Sequence, residues 1–181
     1  MIGGIFMDKK INRRDLTKKI ATLAILTAMG VVLGRFIPMV NLLTSKYEFS
    51  FVAVMLAAYI AGPLGGAVVG GLIDLIGALL VPTGAYFPGF TATAALTGLV
   101  WGLLLYKKCN FPRILIAVLS TQTVCSLLIN TFFIAQFFSP KGFTALLAAR
   151  GVQAAVMAVI QIIFAVVFLQ KINLKKLLKI N

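Results

Sequence analysis

Thr93, Thr97 and Trp101 recur at a four-residue interval, so a helix carries them on one face, with two hydroxyls and an indole N–H set in an otherwise apolar run. Just before them, Val81-Pro82-Thr83-Gly84-Ala85-Tyr86-Phe87-Pro88-Gly89-Phe90-Thr91 interleaves turn formers with the rings of Tyr86, Phe87 and Phe90. Such rings serve either as an interfacial belt or as a lid that stacks on a flat ligand. Asn130 and Thr131, then Arg150 with Gln153, add polar groups toward the ends of later apolar runs. Singly, each is a helix-to-helix hydrogen bond. Together they describe a polar pocket for a planar, anionic molecule, with Arg150, and in second place Arg35, holding a carboxylate.

Catalysis is poorly supplied. The chain has no His, and Asp74 is the one acidic residue inside an apolar run, so a hydrolase or metal site lacks its base, its paired carboxylates and its ligands. Gly62-Pro63-Leu64-Gly65-Gly66 lacks the Lys-Ser/Thr of a phosphate-binding loop. Neither internal repeats nor several intramembrane ionisable groups point to an ion-coupled carrier. The expectation is a non-enzymatic binding protein without metal or cofactor. Cys109 and Cys125 are not expected to pair.

The elements that position these groups are membrane helices. The 181 residues are 61% hydrophobic with a mean hydropathy of +1.05, too apolar for a soluble globule. A net charge of +13 would suit a nucleic-acid binder, but here the charges punctuate stretches of bilayer-spanning length. Apolar runs lie at about 20–36, 49–61, 65–80, 90–106, 114–133 and 152–169, with Arg150-Gly151 preceding the last. They lack the period-2 alternation of strands. The fold class is therefore all-α, a bundle of six transmembrane helices forming a single membrane domain over 1–181. With both termini cytoplasmic, the basic tails at 1–18 and 171–181, Lys19 beside the first, and the loop from Lys107 to Arg113 place thirteen of seventeen basic residues inside. The basic start of the first run also suits a signal peptide, but no small-residue cleavage site closes it. Met7 opens a plausible chain as well as Met1. The glycines between the second and third runs read as close helix packing, or as a hinge.

Ala24-Ile25-Leu26-Thr27-Ala28 is a small-xxx-small pair, a contact face for another membrane protein. With Ala61-Gly62-Pro63-Leu64-Gly65-Gly66-Ala67 leading to Gly70-Gly71-Leu72-Ile73-Asp74, with Phe87-Pro88-Gly89-Phe90-Thr91 and the downstream Leu96-Thr97-Gly98, with Asn130-Thr131 and with Arg150, the chain resembles the S components of energy-coupling factor (ECF) transporters, folate-specific type. The resemblance covers nearly the whole chain. It implies a multi-pass protein of a bacterial cell membrane that captures folate from outside and docks, through Ala24 and Ala28, on a transmembrane coupling protein with two ATPases. It also implies a folate site among Arg35, Tyr86, Phe87, Phe90, Thr93, Thr97, Trp101, Asn130, Arg150 and Gln153. An S component for another flat vitamin (riboflavin, thiamine or a queuosine precursor), a ligand-free membrane subunit and a membrane lipid enzyme are the alternatives.

Overall fold

The computed structural model describes residues 13–35, 48–82, 86–106, 109–137 and 143–171, and every regular element among them is helical. The sequence expectations for the start residue, the far N- and C-terminal tails, Lys107, Lys108 and Lys141 fall outside the described residues. Helix α1 spans Arg13–Arg35 and buries Leu26, Thr27, Gly30, Val31 and Gly34, while Ile20, Ile25 and Val32 face outward. It begins well before the apolar run, so part of the expected basic tail is helical. The Thr17 and Thr22 hydroxyls donate to Arg13 O and Lys18 O at 2.9 and 2.8 Å along that first segment.

Helix α2, Phe51–Leu80, contains the second and third apolar runs, and its backbone leaves helical geometry at Gly62 (φ 79°, ψ −167°). Side chains other than hydrogen are strained in that conformation, and Pro63, which has no N–H, suits the first turn of a new helix. The chain reverses there. A methyl built on Gly66 would meet Ala58 Cα at 3.0 Å, and one on Gly70 would meet Val54 Cγ1 at 3.6 Å. In a straight helix rising about 1.5 Å per residue those pairs stand more than about 10 Å apart. So α2 is a hairpin of two arms, 51–61 and 63–80. Among the described residues, five helical stretches are long and apolar enough to cross a membrane, and α2 is one of them.

Helix α3 (Pro88–Leu105) returns antiparallel to the outgoing arm of α2, with Pro88 in its first turn. The two backbones touch. A methyl on Gly98 would collide with the Gly66 carbonyl, and one on Gly102 with the Pro63 backbone. A methyl on Gly70 would stand 2.5 Å from Ala94 O. Next, α4 (Phe111–Ser120), a π-helical stretch Thr121–Asn130 and α5 (Thr131–Phe137) form a single rod of 27 residues. Pro112 lies in the opening turn of this rod and so starts it rather than preceding it. Helix α6, Phe143–Ala165, continues into a second π-helical stretch, Val166–Lys171. Its start corrects the sequence reading, in which Arg150-Gly151 opens the last helix. Gly151 lies within α6, with open space where a side chain would stand, and no Pro interrupts the run.

The core is a cluster around Met55, Ala57, Val69, Trp101, Leu105, Ile114 and Val118, all almost fully buried. At one end of the bundle lie Gly62, the Tyr106 ring packed on it, and Arg113, which donates to Leu104 O at 3.3 Å. Arg35, Ser50, Asp74 and Tyr86 cluster away from that end. Ala24 and Ala28 are on the exposed side of α1.

Backbone contact at Gly98 makes a prediction. Gly98→Ala should destabilise the detergent-solubilised protein by about 1–3 kcal/mol, the cost of overpacking. Gly151→Ala, with nothing within 4 Å of the added methyl, should be neutral or stabilising by under about 1 kcal/mol. Equilibrium unfolding followed by circular dichroism measures both, and equal effects would refute the close-contact account.

Candidate binding site

A cavity of ≈ 540 Å³ opens among α1, α2, α3, the later part of the rod and α6, within the range of about 300–1,000 Å³ usual for small-molecule sites. Helix α3 lines it with Phe90, Thr93, Thr97 and Trp101, the four-residue face read from the sequence. The opposing rod contributes Gln122, Ser126, Asn130 and Ile134, also four residues apart. In the π-helical stretch the wider i→i+5 turn brings that spacing closer to a straight line than an α-helix does. Helix α6 adds Arg150, Gln153, Met157 and Gln161, and α1 and α2 add Arg35, Phe51 and Asp74. Glu48, Ser50, Tyr86 and Phe87 stand on the connecting segments. All ten residues picked from the sequence as a binding set therefore line one cavity: Arg35, Tyr86, Phe87, Phe90, Thr93, Thr97, Trp101, Asn130, Arg150 and Gln153.

Their chemistry differs from what their types alone suggest. The Thr93 and Thr97 hydroxyls donate to Gly89 O and Thr93 O, at 2.8 and 2.9 Å, one turn back in their own helix. They offer the cavity lone pairs rather than protons. The Phe87 ring packs against Phe90, Phe133 and Phe137, with centroids 5.7, 5.1 and 5.0 Å away. The aromatic segment is thus fastened to α5 by edge and tilted ring contacts.

Buried polar atoms identify the deep wall. Trp101 Nε1, Asn130 Oδ1 and Gln161 Oε1 lie out of water with no hydrogen-bond partner among the described residues, and each residue lines the cavity from a different element. An unsatisfied buried polar atom costs roughly 1–3 kcal/mol, and these three belong to residues that border one void. Trp101 is fully buried and its indole can only donate.

The charged groups divide into two situations. Arg35 Nη2 stands 4.0 Å from Asp74 Oδ1. Half-buried Arg150 makes no hydrogen bond or ion pair with a described residue. Because Arg150 sits well inside α6, the orphan amides of a helix start do not assist it, which removes that part of the sequence expectation.

Gln122, Ser126, Gln161, Asp74, Glu48 and Ser50 line the cavity without having been singled out in the sequence as binding residues. The four-residue spacing of Gln122, Ser126 and Asn130, like that of Met157 and Gln161, is the signal that finds them.

Residues 18–169 match the family described as ECF transporter, substrate-specific component. The chain belongs to this family. It is therefore a substrate-specific subunit of a transporter, and a multi-pass membrane protein. The S component is 31% identical over 136 residues to the folate transporter FolT of Clostridium novyi (strain NT), covering 75% of this chain and 78% of that one. It is 29% identical over 152 residues to the folate transporter FolT of Leuconostoc mesenteroides subsp. mesenteroides, covering 81% of each. A solved structure described as FolT bound with folic acid superposes with a TM-score of 0.78 at 28% identity, covering 86% of this chain and 94% of the other.

Proposed function

We propose that this S component captures folate from outside the cell and delivers it through an ECF transporter driven by ATP hydrolysis in separate subunits. The observation that carries the reading is the likeness, over 86% of the chain, to a structure containing folic acid, at a fold that here encloses a ≈ 540 Å³ cavity. The cavity chemistry supports it. A pteridine edge carries acceptors that suit the Trp101 indole and N–H donors that suit the oxygens of Asn130 and Gln161. Phe90, with Phe87 and Tyr86, supplies stacking surface for a flat ring system. Arg150 supplies the charge for a carboxylate, with Gln153, Thr93 and Thr97 as flanking polar contacts and Arg35 as a second cation in the same cavity. The protein acts by binding, and no catalytic step is assigned to it.

The proposed arrangement in the membrane has six spans, counting the two arms of α2 separately, with both termini and the loop from Lys107 to Arg113 cytoplasmic. The reversal at Gly62 and the distribution of basic residues support it. The exposed small residues Ala24 and Ala28 of α1 are proposed as the face for the coupling protein that carries the two ATPases.

Calorimetric titration of the purified protein with folic acid tests the ligand, and failure to bind at micromolar concentration would overturn the assignment. Arg150→Ala should cost about 2 kcal/mol or more, roughly thirtyfold in affinity. Arg150→Lys should recover only part of this, because an ammonium lacks the planar fork. In a background with Cys109 and Cys125 replaced by Ser, a membrane-impermeant thiol reagent added outside should label Lys141→Cys and miss Lys175→Cys. Labelling of both refutes the topology. Ala24→Leu combined with Ala28→Leu should leave folate titration unchanged while weakening co-purification with the coupling subunits. The reverse pattern would move the docking face elsewhere.

A further inference from the structure

We propose that Asp74 is the positioning residue of this cavity: it fixes Arg35 on one wall and, through Thr91, the Tyr86 hydroxyl at the edge of another. The proposal deepens the reading of the cavity as a folate site and rests on it. Its starting point is the way the two carboxylate oxygens are divided. Oδ1 faces Arg35 Nη2 at 4.0 Å, and Oδ2 accepts a 2.6 Å hydrogen bond from Thr91 Oγ1. The second distance is that of a charge-assisted O–H···O⁻ bond. Thr91 has one proton and gives it to Asp74, so at the 3.2 Å contact between Thr91 Oγ1 and the Tyr86 hydroxyl the tyrosine donates. The resulting chain runs Tyr86 O–H to Thr91 O–H to the Asp74 carboxylate, with the Arg35 guanidinium on its far side. It ties together α1, the outgoing arm of α2, α3 and the aromatic segment before α3.

Asp74 is badly suited to touch an anionic ligand itself, since its charge repels a carboxylate and both its oxygens already face protein groups. It is well suited to set where a guanidinium stands. The Arg35 side chain is 12% exposed and that of Asp74 24%, so both charges are largely withdrawn from water, where an uncompensated partner is costly. Space confines the guanidinium as well. A methyl on Gly77, one turn beyond Asp74, would come within 2.8 Å of Arg35 Nε, so the arginine lies directly over that glycine. The two cavity guanidiniums therefore have separate roles. Arg150, without a described counter-charge, takes the ligand's charge, and Arg35 is held in place as part of the wall.

A double-mutant cycle read by calorimetric titration with folic acid tests the division. Asp74→Ala and Arg35→Ala should each weaken binding, and the double variant should be no weaker than the worse single one, a departure from additivity of at least about fivefold. Arg150→Ala combined with Asp74→Ala should instead be additive. On the other arm, Thr91→Val should lower affinity about three- to tenfold, Thr91→Ser should restore it, and Tyr86→Phe should add nothing to Thr91→Val. A general loss of stability does not produce that pattern of coupling and rescue. Should Asp74→Ala fail to fold, the Thr91 arm decides alone, because Thr91→Ser and Tyr86→Phe change single hydroxyl or methyl groups. Additive losses on the testable arms, or full affinity in Thr91→Val, would overturn the positioning role. Absence of folic acid binding in the unmodified protein would instead overturn the ligand assignment beneath it.

Discussion

Direct backbone contact between the outgoing arm of α2 and α3 governs the rest of the structure. Lipid gives helices no hydrophobic reason to associate, so packing distance and polar contacts must hold them together. Here Gly66 faces Gly98 and Gly70 faces Ala94, with no side chain between the two backbones. One turn beyond Gly70 stands Asp74, and three residues before Ala94 stands Thr91, which is why their side chains meet at 2.6 Å. Bulk at the glycine contact would separate the helices and break that hydrogen bond. A packing constraint in the membrane interior thereby sets the geometry of the polar groups at the cavity.

Much of the architecture is legible in the sequence because membrane helices need long uninterrupted apolar runs, and charges and prolines mark where those runs stop. The four-residue repeat of Thr93, Thr97 and Trp101 reads directly as a face, and that face lines the cavity. Boundaries are less legible. Arg13, Lys18 and Lys19 lie on α1 because helix formation does not require apolar side chains, only backbone hydrogen bonds. Arg150 and Gly151 resemble a helix start, yet α6 passes through them, since a charge facing a cavity and a glycine facing open space do not stop a helix. The relation of Asp74 to Arg35 is invisible in the sequence, because it depends on how α1 lies against α2 rather than on any local pattern.

The cavity separates affinity from shape. Its aromatic segment is anchored by Phe87 among the rings of α5, and its threonines are bonded to their own helix, so these parts form a preorganised wall. Its unsatisfied atoms, on Trp101, Asn130 and Gln161, lie on three different elements. A ligand that satisfies all three bridges α3, the rod and α6 at once.

The hairpin of α2 also has a consequence for depth. Its incoming arm, residues 51–61, reaches only about 16 Å at about 1.5 Å per residue, roughly half the hydrocarbon thickness of about 30 Å. In the proposed orientation Glu48 and Ser50, just before it, stand far below the outer surface. A carboxylate at that level is tolerated because it borders the cavity rather than acyl chains. The cavity is then a well sunk into the bilayer, and in that orientation cargo reaching Phe51 has already crossed a large part of the membrane before any energy is spent on it.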